Sequence, residues 1–153
     1  MLTLEEMIKL TIEFYNSLGI KISKEDEMMA VQSLTMPDYA KEYNDKNNEK
    51  IKNHRALSTV GDAVCGEYIM LKEYDMDITS KELTDKKKIV TNDHLNIIGK
   101  NLLSNKLFAM NNDLKESNKK SYATAFEAVI GFISIINKNK VDEILNKYLM
   151  LNV

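Results

Sequence analysis

Apolar residues recur at helical spacing along most of the chain. Leu4, Met7, Ile8, Thr11, Phe14, Tyr15 and Leu18 share one face behind Thr3 and Glu6, whose separation fits a capping box, so a first helix is expected to end near Gly19. Ser23 caps a second through Met28, Met29, Val31 and Leu34, which must stop by Met36 because Pro37 disfavours helical geometry in the residue before it. Positions 41–53 are almost wholly polar, and an exposed loop or a ragged solvated helix is expected there. Leu57, Val60, Val64, Tyr68 and Leu71 then predict a long helix from His54 to Tyr74. Gly61 and Gly66 sit inside it, each costing about 1 kcal/mol relative to Ala, and such glycines suggest a close helix contact. Thr79 and Glu82 open a shorter helix ending in Lys86, Lys87 and Lys88, and Asn92 caps another through Leu95, Ile98, Leu102 and Leu103. After a polar joint over 111–120, Tyr122, Phe126, Val129, Ile130, Ile133 and Ile136 form the strongest helical pattern, and Val141, Ile144, Leu145, Tyr148 and Leu149 form the last. The pattern therefore predicts an all-α fold of about seven helices with no convincing strand.

Composition narrows the class. A length of 153 residues suits one domain, 1–153, and five Gly with one Pro are too few for a turn-rich β-sandwich. Hydrophobic residues at 44% and charged residues at 29% fit a soluble globular chain. No apolar run approaches the ~18 residues of a membrane span. Glu5 and Glu6 stand where a secretory signal needs positive charge, and the single Cys65 cannot form an intramolecular disulfide, so a cytoplasmic protein away from membranes is expected. A net charge of −2 gives no overall basic field, which leaves nucleic-acid binding to local patches.

The candidate chemistry is narrow. One Cys and the separated His54 and His94 give no zinc spacing, and both histidines read as ordinary surface or half-buried residues. No local nucleophile motif and no glycine-rich phosphate loop is present. Carboxylates remain. Asp62 falls within Val60-Gly61-Asp62-Ala63-Val64, and Glu127 within Ala125-Phe126-Glu127-Ala128-Val129-Ile130. An acid in a buried run is costly unless it is paired or metal-bound; the alternative is that each helix turns its acid to solvent.

These residues resemble a family. Ala56-Leu57-Ser58-Thr59-Val60-Gly61-Asp62-Ala63-Val64 is similar to the signature helix of the ribonuclease III endonuclease domain, and Thr124-Ala125-Phe126-Glu127-Ala128-Val129-Ile130-Gly131 to its second acidic motif. Leu18-Gly19, Gln32-Ser33-Leu34-Thr35 and Lys88-Ile89-Val90 resemble weaker segments of the same family. The common bacterial enzymes have two further acids, at the positions of Ser58 and Thr124, and a Glu where Arg55 stands. The compact Mini-III branch, which lacks a double-stranded-RNA-binding domain, has small or hydroxyl residues at both of the first two positions. This chain is closer to that branch, although its N-terminal region is longer and it has no evident Arg-rich loop between the motifs.

The resemblance implies a ribonuclease III-type helical domain that cleaves structured double-stranded RNA, such as an rRNA precursor, leaving 5′-phosphate and 3′-hydroxyl ends. It implies Mg²⁺, with Mn²⁺ as a substitute, held by Asp62 and Glu127 as the catalytic pair. Mg²⁺ keeps several waters and is commonly bound through one or two carboxylates plus substrate phosphate, so Ser58 and Thr124 are expected to position water. Ser58 lies four residues before Asp62 and Thr124 three before Glu127, which puts each pair on one helix face. Candidate phosphate contacts are Arg55, Lys86, Lys87, Lys88, Lys119 and Lys120; the alternative for Lys86 to Lys88 is a solvated helix end that favours the macrodipole. The family's signature helices pair across a two-fold axis, so Gly61 and Gly66 are expected at a homodimer interface, the alternative being tight packing within one chain. The rival reading is a non-catalytic, ribonuclease III-like RNA-binding or ribosome-associated dimer, motivated by the acids absent at Ser58 and Thr124.

Overall fold

The computed structural model describes residues 1–88, 92–115 and 120–149. Among these there are eight α-helices and no strand: α1 (Leu4–Ser17), α2 (Glu27–Leu34), α3 (Pro37–Asn47), α4 (Arg55–Glu73), α5 (Ser80–Lys87), α6 (Asn92–Leu103), α7 (Ser121–Ile136) and α8 (Lys138–Tyr148). Short 3-10 turns cover Lys24–Asp26 and Asn111–Leu114. The all-α expectation holds, and the helix beyond the expected number is α3. Pro37 ends α2 and also begins α3, at the first helical position, where its missing N–H is no loss. Tyr39, Ala40 and Tyr43 turn into the core, so this mostly polar stretch is an amphipathic helix that closes on Asn48 in the left-handed conformation, φ 50°.

Thr3 and Thr79 cap as their sequence signals predict, whereas Ser23 precedes the Lys24–Asp26 turn, gives its hydroxyl to the Asp26 carboxylate and does not cap α2, which begins at Glu27. The Thr3 hydroxyl accepts from the Glu6 amide at 3.2 Å while the Glu6 carboxylate accepts from the Thr3 amide at 3.0 Å. Thr79 caps α5 in the same way, its hydroxyl accepting from the Glu82 amide at 3.1 Å.

Helix α7 is the centre of the domain. Ala123 and every residue from Ala125 to Ile133 are buried, as expected of a helix apolar on nearly all sides, and α2, α4, α6 and α8 pack around it. Tyr15 of α1 lays its ring against Phe132 at a centroid distance of 4.9 Å and shares a 2.6 Å hydrogen bond with the buried Ser33 hydroxyl.

The closest approaches to α7 are made at glycines. A Cβ on Gly61 would stand 1.7 Å from the Glu127 carbonyl oxygen, one on Gly131 would stand 2.1 Å from that of Leu57, and one on Gly99 would stand 2.2 Å from that of Tyr122. Backbone therefore meets backbone where α4 and α6 cross α7. No helix among the described residues is long and apolar enough to cross a membrane.

Candidate active site

The α4–α7 crossing sets the two acids beside each other. With Gly61 pressed on the backbone of Glu127, the next residue of α4, Asp62, brings its carboxyl into hydrogen-bond contact with that of Glu127. Asp62 is exposed, whereas Glu127 is only 8% exposed, so the pair lies at the surface end of a buried seam. Burial, and then the hydrogen bond and the charge of Asp62, push the Glu127 carboxyl up to about 8. At neutral pH the Glu127 carboxyl therefore holds its proton. Cys65 lies nearby, and burial followed by the charges of Glu127 and Asp62 raises its thiol, so it remains the small buried hydrophobe expected of it.

Ser58 is buried on α4 and Thr124 is half-buried on α7, one turn before Asp62 and Glu127 respectively. Thr124 also lines a separate cavity of about 230 Å³ with Arg55 and Lys120, where the first turns of α3, α4 and α7 meet. Arg55 and Lys120 are thus together and close to the acid-bearing helices, while Lys119 lies outside the described residues. Lys86 pairs with the half-buried Glu73 at 3.8 Å and Lys88 with the exposed Asp85 at 3.6 Å, weak pairs that leave both lysines on the surface. The stem of Lys87 lies over Gly66, where a Cβ would meet its Cε at 2.8 Å.

Both glycines read as dimer contacts are used within the chain, Gly61 against α7 and Gly66 under the Lys87 side chain, so their small size is explained without a two-fold axis. His54 departs from expectation: it is neither at the surface nor half-buried but 2% exposed, with Nδ1 and Nε2 both lacking a hydrogen-bond partner among the described residues. His94 is half-buried, as expected.

Two supporting residues had no readable signal. Asp113, in the polar joint, accepts from the amides of Met110 at 2.8 Å, Asp38 at 3.0 Å and Tyr39 at 3.3 Å, and so caps α3 from 75 residues away. Asn96 of α6 accepts from the amides of Tyr122 at 3.1 Å and Ala123 at 3.2 Å, capping α7 just before Thr124.

Among the described residues no group of three or more His, Cys, Asp or Glu side chains is assembled, so the candidate donors are the Asp62–Glu127 pair. Comparison with protein-family models and with curated proteins found no match.

Proposed function

We propose that this chain is a homodimeric, Mg²⁺-dependent endoribonuclease of the ribonuclease III type, Mini-III-like, acting on structured double-stranded RNA such as an rRNA precursor. The observation that carries this reading is the carboxyl pair. Asp62 and Glu127, read separately as misplaced acids in two motifs, stand in hydrogen-bond contact at the closest helix crossing of the domain.

The donor set fits a hard divalent cation, which takes oxygen ligands and is commonly held by one or two carboxylates together with substrate phosphate. Asp62 and Glu127 would hold it, with release of the proton on Glu127. When bound, such an ion offsets charge on a phosphodiester and acidifies water. The chain supplies the rest. The Gly61 contact fixes the separation of the two carboxyls, and the buried side of Glu127 restricts water to one face of the pair. Ser58 and Thr124 offer hydroxyls one turn away for orienting water, and Arg55 and Lys120 offer charge to the RNA backbone.

A second copy of the chain fits the outer face of α4, where Val60 and Leu71 are exposed, Val64 is half-buried, and their spacing places them on one side.

The deciding experiment incubates the purified protein with long duplex RNA in Mg²⁺ or in EDTA. Fragments are expected in Mg²⁺ alone, and Asp62→Asn and Glu127→Gln should each abolish them while RNA binding persists. Binding without fragments would favour the non-catalytic dimer, and full cleavage by either variant would refute the carboxylate pair.

A further inference from the structure

The 230 Å³ cavity where the first turns of α3, α4 and α7 meet is lined by a side chain that the fold does not explain. His54 lines it, 2% exposed, with both ring nitrogens buried and without a partner among the described residues. The backbone of His54 already serves the fold: its amide donates to the Thr35 carbonyl at 2.9 Å, and its carbonyl accepts from the Ser58 amide at 2.9 Å. Any residue but proline could make those two bonds. An apolar side chain would avoid the cost that each unsatisfied buried polar group carries, so the imidazole calls for a partner that the described residues do not provide.

The cavity's charges indicate that partner. Arg55 and Lys120 both line it, both are exposed, and neither is ion-paired with a described residue. Two acids line it as well. Asp113 is committed to three backbone amides and offsets the positive end of α3, and Asp38 is exposed at the first turn of the same helix. The other helix ends are also partly capped, α7 by Asn96 and α4 by Asn53, which accepts from the Arg55 amide at 3.0 Å. What remains free for a ligand is therefore the side-chain set: guanidinium, ammonium, imidazole and the Thr124 hydroxyl. Burial and the neighbouring Arg55 hold His54 down at about 4, so at neutral pH the ring is uncharged and has one N–H to give. A guanidinium and an ammonium exposed on one space, with an unpartnered neutral imidazole buried in its wall, suit a tetrahedral oxyanion.

We propose that this cavity is a phosphate subsite in which His54, Arg55 and Lys120, with the Thr124 hydroxyl, hold one phosphodiester of an RNA strand whose neighbouring phosphate lies at Asp62 and Glu127. The identity of the strand rests on the nuclease reading; the phosphate chemistry does not. Thr124 is three residues from Glu127 and Arg55 seven from Asp62, offsets of about 5 and 11 Å along their helices, so the subsite lies within a short stretch of strand from the carboxyl pair.

The test follows the His54 ring of the unmodified protein by NMR, without divalent metal, during titration with inorganic phosphate. Saturable shifts of that ring at millimolar phosphate are expected, with its titration midpoint raised because a nearby anion favours the imidazolium. Lys120→Ala, at an exposed position, should weaken that binding several-fold. In the second arm, duplex RNA should displace phosphate from the cavity, and Lys120→Ala should lower the salt slope of RNA binding by about 0.7 to 0.9. No saturable shift at tens of millimolar phosphate, or equal binding by Lys120→Ala, would overturn the subsite. Phosphate binding that RNA does not compete for would overturn its assignment to the strand. Cleavage is not among the readouts, so an inactive protein that still binds phosphate here refutes the nuclease reading and leaves the subsite standing.

Discussion

Gly61 and Glu127 are in backbone contact: a Cβ on the glycine would stand 1.7 Å from the glutamate's carbonyl oxygen, which is not space that a side-chain rotation can open. Gly61→Ala must therefore push α4 off α7, and overpacking of this kind costs about 1–3 kcal/mol or more. Gly66→Ala is the contrasting case, because the atom in its way is Cε of the flexible Lys87 at 2.8 Å, and alanine gains about 1 kcal/mol of helix propensity over glycine. Denaturant unfolding should show a clear loss for Gly61→Ala and no loss for Gly66→Ala. Equal midpoints for the two variants would contradict the close crossing.

How far this site could be read from the sequence depends on the range of the interactions. Asp62 and Glu127 were legible one at a time, since an acid inside an apolar helical run is visible locally, but nothing local says that they meet. Their meeting depends on the Gly61 contact, and a glycine in a helix reads equally well as a contact within the chain or between two chains. Helix α3 was obscured by its charged residues, although Tyr39 and Tyr43, four apart on one face, were its signal. His54 and Asp113 could not be read at all. One is buried by the meeting of three helix ends, and the other caps a helix 75 residues away, and neither relation leaves a periodic trace.

Two buried groups give stability a dependence on pH, and their signs oppose. Glu127 is raised from 4.5 to about 8, so between those values the folded state holds a proton that the unfolded state has lost, and stability falls as pH rises. His54 is lowered from 6.5 to about 4, so between those values the unfolded state binds the extra proton, and stability rises with pH. The two offset each other up to about pH 6.5, above which only the Glu127 contribution remains. Thermal unfolding without divalent metal should therefore show stability decreasing from pH 6.5 to 8, and Glu127→Gln should remove that decrease. A wild-type curve parallel to that of Glu127→Gln would mean that Glu127 ionises as an ordinary glutamate.

Asp113→Ala should destabilise more than its position in a polar joint suggests. The variant leaves the amides of Met110, Asp38 and Tyr39 without their acceptor, and a hydrogen bond to a charged group contributes about 1.5–3 kcal/mol. Asp113→Asn keeps one acceptor oxygen and should recover part of the loss. The comparison is made by urea unfolding, and a loss below about 0.5 kcal/mol for the alanine variant, the range of ordinary surface changes, would show that the cap contributes nothing.

The homodimer can be tested on the exposed flank of α4. Val60 is 37% and Leu71 is 72% exposed, and Val64, half-buried, lies between them on the same side. Single exposed apolar residues are ordinary, but a two-fold axis through this face would set each row against its own copy. A charge introduced there meets the same charge from the second chain. Val60→Glu should then convert a dimer to a monomer in sedimentation velocity while changing the unfolding of the isolated chain by no more than about 0.5 kcal/mol, since Val60 contributes little to the core. Gly66→Ala should leave the dimer intact, because that glycine faces Lys87. If Val60→Glu sediments as a dimer the two-fold axis lies elsewhere, and if the wild-type chain is monomeric at micromolar concentration the homodimer is excluded.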